Sequence, residues 1–239
     1  MIQFFAPDIA TNPLLPESES QHCVKVLRKG LGDVIPVIDG KGKRYICRII
    51  DPHPKRTLLE IIEVSDEPQP WPATLTLAVA PTKHIDRMEW LVEKLVEIGI
   101  NRFTPLLCSR SERKETKRER IEKIAVSAMK QSLKAALPVV DEMTPLKRFI
   151  KESSALSCDK FVAYCDTECQ RKILAKEISP AKDTVILIGP EGDFSPQEIE
   201  DIISSGFIPV TLGDCRLRTE TAALAAAQTF HVINQLYQQ

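Results

Sequence analysis

Three charged residues alternate with neutral ones near the end of the chain: Arg216, Arg218 and Glu220. This spacing, just before an apolar helical stretch, suits side chains that reach a polar or anionic substrate at the mouth of a pocket. An arginine there could bind phosphate through two parallel hydrogen bonds, or stabilise negative charge that develops on a substrate oxygen. The alternative is a structural salt bridge between Arg218 and Glu220 or a neighbour.

Two glycine-containing loops precede these charged residues in the sequence. The apolar run 185–188 leads into Gly189-Pro190-Glu191-Gly192, and a second run, 208–212, leads into Gly213. Ligands of open α/β sheets bind outside the carboxyl ends of the strands, so the two loops together predict a pocket at one sheet edge. Each loop taken singly is equally consistent with an ordinary strand-to-helix turn.

The elements that must position these loops follow a βα alternation after residue 72. Strands are predicted at 73–80, 160–165, 184–188 and 208–212, which favours a mostly parallel sheet. Capping boxes are predicted at Ser195 with Glu198 and at Asp86 with Glu89. The helices are predicted at 86–98, 116–136, 168–177, 195–204 and 219–237.

The apolar faces of two of these helices can be read from their periodicity. The helix at 86–98 is expected to bury Met88, Leu91, Val92, Leu95 and Val96. The basic helix at 116–136 is expected to bury Ile121, Ile124, Ala125, Ala128 and Ser132.

The first 67 residues have a different pattern. Apolar runs at 34–38, 44–50 and 57–64 predict a small β module, and Asp39-Gly40 between the first two predicts a hairpin. Three prolines within residues 66–72 predict an extended linker. At 239 residues the chain is expected to form one large domain or two.

Charge is segregated along the chain although the net charge is only −1. Residues 22–56 contain nine Lys and Arg against three Asp and Glu, and residues 110–134 contain nine against four. Such stretches create a local positive field that phosphate groups can feel, or they form solvated helix faces. The absence of a leader-like N-terminus and of any apolar run near ~18 residues predicts a cytosolic protein without a membrane span.

The cysteine pattern argues against disulfide and metal frameworks. Seven cysteines, an odd number, are scattered from Cys23 to Cys215 and are expected to be mostly reduced and packed. Cys165 and Cys169 lack a matching Cys or His pair, so no metal site is expected. Dinucleotide-binding, Walker A and nucleophile-elbow motifs are also missing, which removes the signatures of three common enzyme classes.

Several motifs, in order along nearly the whole chain, resemble those of the 16S ribosomal RNA uracil-N3 methyltransferases, the RsmE family of the SPOUT class. The motifs are His22-Cys-Val-Lys-Val-Leu-Arg28, Asp86-Arg-Met-Glu-Trp90 with Lys94 and Glu97-Ile-Gly99, Gln131-Ser132, Ile188-Gly-Pro-Glu-Gly192 with Phe194-Ser195, and Leu212-Gly213 with Arg216-Leu-Arg-Thr-Glu-Thr-Ala222.

This resemblance implies an α/β fold with two domains. A PUA-like β-barrel for RNA would span residues 1–67, and a SPOUT domain with a mostly parallel sheet and a trefoil knot would span 73–239. It also implies a homodimer that acts on 16S ribosomal RNA or the small ribosomal subunit. The S-adenosylmethionine site would lie in the knot, largely against backbone groups of Ile188, Gly189, Pro190, Gly192, Leu212, Gly213 and Leu217.

The same resemblance suggests roles for the charged residues. Arg218 would stabilise charge developing on the uracil, Glu220 would orient it or accept the N3 proton, and Arg216 is a substitute candidate. RNA phosphates would be contacted by Lys25, Arg28, Lys29, Lys43, Arg44, Arg110, Arg113 and Lys114.

Three positions depart from the family pattern. Asp193 stands where a second glycine is common, and Asp214-Cys215 stands where the family often has proline-arginine. The third departure lies around Lys130, Leu133 and Lys134, where the family commonly has an acidic residue and glycine-arginine; Lys134 keeps the positive charge without the guanidinium group. Two other interpretations stay open: a SPOUT methyltransferase acting on transfer RNA or a ribose hydroxyl, and an RNA-binding assembly factor whose cofactor pocket has lapsed.

Overall fold

The computed structural model describes residues 2–165 and 171–237. These residues form two compact units. The N-terminal unit contains the chain up to Pro70 together with Ala125–Leu137, and the C-terminal unit contains Trp71–Ile124 and the chain from Pro138 onward. The sequence-based boundaries, 1–67 and 73–239, do not anticipate that residues 125–137 pack with the N-terminal unit.

The N-terminal unit is built on a four-stranded sheet in the order β1-β2-β3-β4. Its middle strands are antiparallel, and β1 runs parallel to β2. Short helix α1 (Glu17–Gln21) runs directly into a π-helical turn, His22–Val26. The strands are β1 (Phe4–Phe5), β2 (Val34–Ile38), β3 (Lys43–Asp51) and β4 (Leu58–Asp66).

The hairpin predicted at Asp39-Gly40 is confirmed. Ile38 pairs with Arg44, and Gly40 has the left-handed φ of 74° that a tight hairpin requires. The Asp39 carboxylate accepts hydrogen bonds from the backbone nitrogens of Lys41 (2.7 Å) and Lys43 (3.1 Å). The side chain therefore closes the loop, which is the usual reason for aspartate at such a turn.

Residues 125–137 pack with the N-terminal unit, and side chains of that unit donate hydrogen bonds to two of their backbone carbonyl groups. Helix α3 (Arg118–Gln131) is shorter than the predicted 116–136, and Leu133 beyond it adopts a left-handed φ of 57°. Gln3 Nε2 donates to Lys134 O at 3.0 Å, and Arg44 donates to Leu133 O at 3.1 Å. These long-range bonds satisfy carbonyls that follow the helix C-terminus.

The C-terminal unit contains a sheet with the strand order β10-β12-β9-β11-β5-β6-β7, in which neighbouring strands run parallel. Strand β8 (Thr144–Pro145) pairs with β6 off this path. The mostly parallel α/β sheet is therefore confirmed. The strands are β5 (Leu75–Val79), β6 (Arg102–Leu107), β7 (Val139–Val140), β9 (Asp159–Ala163), β10 (Lys172–Ile173), β11 (Thr184–Ile188) and β12 (Ile208–Thr211).

Helices cover both faces of this sheet. Ala78, Val185 and Leu187 pack with side chains of α4 and α6 in one core cluster, whereas α7 packs against α2, β5 and β11. The predicted buried face of α2, from Met88 to Val96, is confirmed. The helices are α2 (Ile85–Ile98), α4 (Leu146–Ser154), α5 (Leu174–Glu177), α6 (Pro196–Ser204) and α7 (Thr219–Leu236).

Two capping boxes were predicted and one forms. Ser195 accepts a hydrogen bond from Glu198 N, the Glu198 side chain accepts one from Ser195 N, and Pro196 occupies the first turn of α6. The prediction at Asp86 with Glu89 is wrong, because α2 begins earlier and has His84 as its N-cap. Asp86 is thus inside the first turn, where its charge still favours the helix dipole.

The strand order separates elements that are consecutive in sequence. β11 lies between β5 and β9, and β12 lies on the far side of β9. The trefoil knot that the resemblance implies stays a prediction. The helix predicted at 168–177 falls partly on residues 166–170, outside the described residues; beyond them the chain forms β10 and then α5. No helix among residues 2–165 and 171–237 combines the length and apolarity of a membrane span.

Candidate active site

Five parallel strands of the C-terminal sheet end at the same edge: β5, β6, β9, β11 and β12. We call the loop at residues 189–195, after β11, the first glycine loop, and that at 212–218, after β12, the second glycine loop. Ile188 ends β11, and its carbonyl accepts a hydrogen bond from Ala80 N at 3.0 Å. The two loops that sequence reasoning selected thus follow strands of one parallel sheet.

The first glycine loop is a tight, partly buried turn. Asp193 N donates to Pro190 O at 2.9 Å, and both Gly189 and Pro190 are buried. A Cβ atom at position 189 would lie only 3.0 Å from the Phe194 ring, which is 4% exposed and belongs to the core. A side chain at 189 would therefore require the Phe194 ring to shift by a few tenths of an ångström.

Asp193 stands where the family pattern commonly has glycine, and the turn still forms. Its φ is 62°, in the left-handed region that aspartate tolerates better than most residues. Its carboxylate accepts hydrogen bonds from Phe194 N and from Cys165 N in the loop after β9, each at 2.9 Å. The side chain thus supplies contacts that a glycine could not make.

Further contacts hold the first glycine loop to its neighbours. Thr219 Oγ1, at the start of α7, donates to Gly189 O at 3.2 Å. Lys83 N, in the loop after β5, donates to the Glu191 carboxylate at 3.2 Å. Gly192 is exposed and lies against Arg110, 3.5 Å from its Cβ when a Cβ atom is placed on the glycine.

The second glycine loop is more open. Leu212 and Leu217 are half-buried, and the exposed Gly213 has a φ of 129° with no atom within 4 Å of a Cβ placed on it. The Thr211 hydroxyl donates to Gly213 O at 2.9 Å. A half-buried apolar rim beside free backbone is suited to a flat, largely neutral ligand. Exposed side chains follow at Asp214, Cys215, Arg216 and Arg218.

Glu220 lies beside Arg87 and forms no salt bridge with Arg218. It is 7% exposed, and its Oε1 lies 3.8 Å from Arg87 Nε. Its Oε2 is buried without a hydrogen-bond partner among the described residues. Arg218 makes no ion pair within residues 2–165 and 171–237, so the structure does not contain the alternative pair between Arg218 and Glu220.

Arg87 links the two glycine-loop segments through their acids. Its guanidinium lies 3.8 Å from Glu191 Oε1 in the first loop and 3.8 Å from Glu220 Oε1 after the second. Sequence reasoning noted Arg87 only within a family motif. Its position on the first turn of α2, beside a loop of the same sheet edge, is the signal that could have identified it.

Glu198 is a buried acid that sequence reasoning used only as a capping residue. It accepts hydrogen bonds from Ser109 N and Ser109 Oγ, both at 2.7 Å, in addition to Ser195 N at 2.9 Å. Burial alone would raise the pKa of Glu198, but these hydrogen bonds, first from Ser195 N, outweigh it and hold the pKa below its usual value. Ser109 and Glu198 thereby join the loop after β6 to α6.

The side chains predicted to contact RNA differ in their exposure and in whether they already form hydrogen bonds or ion pairs within the protein. Lys25, Arg28 and Lys114 are exposed, and Lys29 is half-buried. Lys43 pairs with Asp66 at 2.7 Å on the surface. The remaining three arginines are engaged inside their own units: Arg44 with Glu67, Gln3 and Leu133, Arg110 with Gly192 and Phe194, and Arg113 with Thr82 and Lys83.

The described cysteines are free, and three of them, Cys23, Cys47 and Cys108, are buried. Burial raises the pKa of the Cys108 thiol to about 12, so it is protonated at neutral pH. Of the Cys165 and Cys169 pair, Cys169 lies outside the described residues. Within residues 2–165 and 171–237 no cluster of potential ligands could hold a metal ion.

Comparison with known families agrees with this arrangement. A family model described as an RNA methyltransferase domain matches residues 69–231, and one described as an RNA methyltransferase PUA domain matches residues 15–62. Together with the parallel sheet and its edge of glycine loops, these matches define the class of the protein as an RNA methyltransferase.

The relatives narrow the class further. The ribosomal RNA small subunit methyltransferase E of Synechocystis is 31% identical over 89% of this chain and 70% of its own length. A crystal structure of a probable rRNA-methyltransferase from Porphyromonas gingivalis is 40% identical, covers 99% of this chain and 100% of its own, and superimposes with a TM-score of 0.93. The chain belongs to the ribosomal RNA small subunit methyltransferase E family.

A further structure concerns the cofactor. The ribosomal RNA small subunit methyltransferase E of Neisseria gonorrhoeae, bound to S-adenosyl methionine, is 28% identical, covers 98% of each chain and has a TM-score of 0.85.

Proposed function

We propose that this chain transfers a methyl group from S-adenosylmethionine to N3 of a uridine in 16S ribosomal RNA of the small subunit. The observation that carries the proposal is the combination of a glycine-containing turn, Gly189 to Gly192, with a buried acid, Glu220, whose Oε2 has no hydrogen-bond partner among the described residues. The family to which the chain belongs supplies the class of reaction and of cofactor.

The glycine loops suit a cofactor that is recognised mainly by backbone groups. Gly189 and Pro190 are buried, whereas Gly192 and Gly213 expose their backbone. Bound there, S-adenosylmethionine would supply an electrophilic methyl group. The proposed contact residues are those that the resemblance suggests: Ile188, Gly189, Pro190, Gly192, Leu212, Gly213 and Leu217.

Methylation at uracil N3 forms an N–C bond and releases the N3 proton. Glu220 is the proposed acceptor of that proton, because its Oε2 has a free lone pair in a buried position. Arg87, 3.8 Å from the other carboxylate oxygen, would fix the orientation of the acid. The same acid could instead orient the base, as sequence reasoning also allowed.

Arg218 is the proposed electrostatic partner of the uracil. As the proton leaves N3, negative charge spreads to the carbonyl oxygens on either side of it, where a guanidinium can donate hydrogen bonds. Arg218 is exposed and without a hydrogen bond or ion pair from its side chain among the described residues, so it is available to a substrate. Arg216, exposed on the same loop, remains the substitute candidate.

RNA phosphates are proposed to contact the exposed cations of the N-terminal unit. Lys25 and Arg28 extend from the π-helical turn and its exit, with Lys29 beside them. Such contacts position the substrate and make its affinity depend on salt. The double variant Lys25→Ala with Arg28→Ala should flatten the plot of log Kd against log salt by ~1.5 in slope; an unchanged slope would contradict the assignment.

A homodimer is proposed on the exposed apolar side chains near the end of α7. Val232 is 40% exposed, Leu236 65% and Tyr237 70%. Apolar side chains gathered at one helix end are suited to cover by a second copy of the chain. Light scattering should give twice the monomer mass, and Leu236→Glu should shift it toward the monomer. We also propose a cytoplasmic location, where ribosomal subunits are assembled.

The function is tested on small ribosomal subunits from a strain that lacks the modification. The purified chain is incubated with them and with labelled S-adenosylmethionine, and the nucleosides are separated by mass spectrometry. 3-Methyluridine in 16S RNA is the expected product. A methylated ribose, or label only in transfer RNA, would contradict the substrate; failure to bind S-adenosylmethionine would contradict the activity and favour an RNA-binding assembly factor.

A further inference from the structure

The segment that follows β6, residues 108–113, contacts both neighbouring loops of the site. We call it the β6 segment. It is itself fixed at its base, because Cys108 N donates to Ser111 Oγ at 3.0 Å and Ser109 donates twice to the buried Glu198 at 2.7 Å. Ser111 is 7% exposed. The segment is therefore anchored before its two arginines extend.

Arg110 extends toward the first glycine loop. Its Nη1 donates to Gly192 O at 3.0 Å and to Phe194 O at 3.3 Å. Two carbonyls that are two residues apart converge on one guanidinium nitrogen, which fixes the peptide groups that follow Gly192 and Phe194. A Cβ placed on Gly192 would lie 3.5 Å from Arg110 Cβ, so the side chain also packs along this turn.

Arg113 extends the other way, toward the loop after β5. Its Nη2 donates to Lys83 O at 2.9 Å and its Nε to Thr82 O at 3.4 Å, and Thr82 is fully buried. Lys83 N in turn donates to Glu191. The β6 segment thus reaches the first glycine loop by two routes, directly through Arg110 and indirectly through Arg113 and Lys83.

We propose that Arg110 and Arg113 are positioning residues of the cofactor loop, and not contacts to RNA phosphate. Arg110 donates to carbonyls of that loop, and Arg113 donates to the segment that carries Lys83. Charge-assisted hydrogen bonds of this kind hold a backbone more firmly than neutral ones. The inference rests on the proposed function, because it assumes that the first glycine loop binds S-adenosylmethionine.

The test compares Arg110→Ala, Arg113→Ala and Arg110→Lys with Lys117→Ala in the full-length chain. Lys117 is exposed in the same basic stretch, and its side chain forms no hydrogen bond or ion pair among the described residues, so it controls for loss of one positive charge. Calorimetry measures the Kd for S-adenosylmethionine, and filter binding measures RNA affinity against salt. Thermal unfolding identifies any variant that fails to fold.

Arg110→Ala is expected to weaken S-adenosylmethionine binding about tenfold, with an unchanged salt slope for RNA. Arg113→Ala should raise this Kd by a smaller factor, and Lys117→Ala should leave it unchanged. Arg110→Lys should recover little, because one ammonium cannot reproduce the guanidinium geometry. In steady state the KM for S-adenosylmethionine should rise in Arg110→Ala, while the KM for RNA stays the same.

Three results would overturn the proposal. The first is an Arg110→Ala variant that binds S-adenosylmethionine as the unaltered chain does, and the second is a salt slope lowered by about 0.7–0.9, the signature of one lost phosphate contact. The third is full recovery by Arg110→Lys, which would show that only charge matters. An unaltered chain that binds no S-adenosylmethionine would instead contradict the proposed function, so the two failures are distinguishable. If Arg110→Ala is unfolded, the Arg110→Lys comparison decides.

Discussion

Asp193 Oδ2 accepts a hydrogen bond from Cys165 N at 2.9 Å, and this bond joins the first glycine loop to the loop after β9. The other carboxylate oxygen accepts from Phe194 N, and the residue has a left-handed φ of 62°. One side chain thus closes the turn from within and ties it to a neighbour. A glycine at this position would accept the backbone conformation but would make neither bond.

We therefore predict a graded series at position 193. Asp193→Ala should be the most destabilising, because it loses both hydrogen bonds and keeps a strained φ, at a cost of roughly 2–4 kcal/mol. Asp193→Gly should lose the bonds alone, and Asp193→Asn should retain most of both. Urea unfolding gives the order, and calorimetry should show weaker S-adenosylmethionine binding in the same order. Alanine and glycine variants of equal stability would contradict the role of φ.

The second prediction concerns Glu220. Because its Oε2 is the proposed proton acceptor, Glu220→Gln should lower kcat by about 10²–10⁴-fold while S-adenosylmethionine still binds. Glutamine keeps the size of the side chain, so folding is expected to be preserved. Single-turnover assays with small subunits measure the methyl transfer step.

Arg87→Ala is the companion variant for Glu220. Loss of its guanidinium, 3.8 Å from Glu220, should lower kcat by a smaller factor, since it removes an orienting contact and leaves the acid. Arg87→Lys should recover part of that loss. Unchanged turnover in Glu220→Gln would assign the proton to another acceptor and leave Glu220 as an orienting group.

The third prediction is a pH dependence that originates at Glu198. Hydrogen bonds from Ser195 and Ser109 overcome the effect of burial and hold the pKa of Glu198 below its usual value. A carboxyl group with a lowered pKa in the folded state stabilises fully above its unfolded pKa, ~4.3, and this contribution is lost as pH falls through the folded value. Stability from this group is thus present at neutral pH and disappears in acid.

Urea unfolding of the unaltered chain and of Glu198→Gln between about pH 3 and pH 7 measures this contribution. The difference in unfolding free energy should be largest near neutral pH and should shrink below about pH 4. Ser109→Ala should reproduce part of the difference, because it removes one of the three hydrogen bonds that the carboxylate accepts. A difference that stays constant with pH would mean that glutamine disturbs packing and that ionisation of Glu198 contributes nothing.

Much of the site could be predicted from local sequence, and the reasons are specific. Ser195, Pro196 and Glu198 cap α6 within four residues, and the apolar runs before Gly189 and Gly213 both form strands, the first of them fully buried. Local signals of this kind act over a few residues, so they can be read without a structure.

The contacts that sequence reasoning missed join distant segments. Ser109 meets Glu198 across 89 residues, and Arg110 meets Gly192 across 82. Arginines in a basic stretch suggest phosphate binding. The structure shows instead that the guanidinium groups of Arg110 and Arg113 donate hydrogen bonds to backbone carbonyl groups. Strand β6 was also missed; it contains Pro105, a residue that is uncommon in the middle of a sheet.

The last prediction concerns Gly99, the C-cap of α2, where the cost of backbone strain can be separated from the cost of displacing a neighbouring side chain. Its φ is 127°, and a Cβ there would lie 2.5 Å from Trp71 Cη2. The indole cannot move freely, since its Nε1 donates to Asn101 Oδ1 at 3.1 Å and its ring meets His231 edge-on at 5.0 Å. Gly206 also has a left-handed φ, 89°, but a Cβ there would meet nothing within 4 Å.

Gly206→Ala should therefore cost only the backbone strain, about 1–2 kcal/mol, whereas Gly99→Ala should add the displacement of Trp71 and cost several kcal/mol in total. Denaturant unfolding of both variants under one set of conditions gives the comparison. Trp71→Leu in the Gly99→Ala background should recover part of the loss, because a smaller side chain leaves room for the methyl group. Equal losses at the two glycines would mean that the indole is free to yield, and that backbone conformation alone explains glycine at the end of α2.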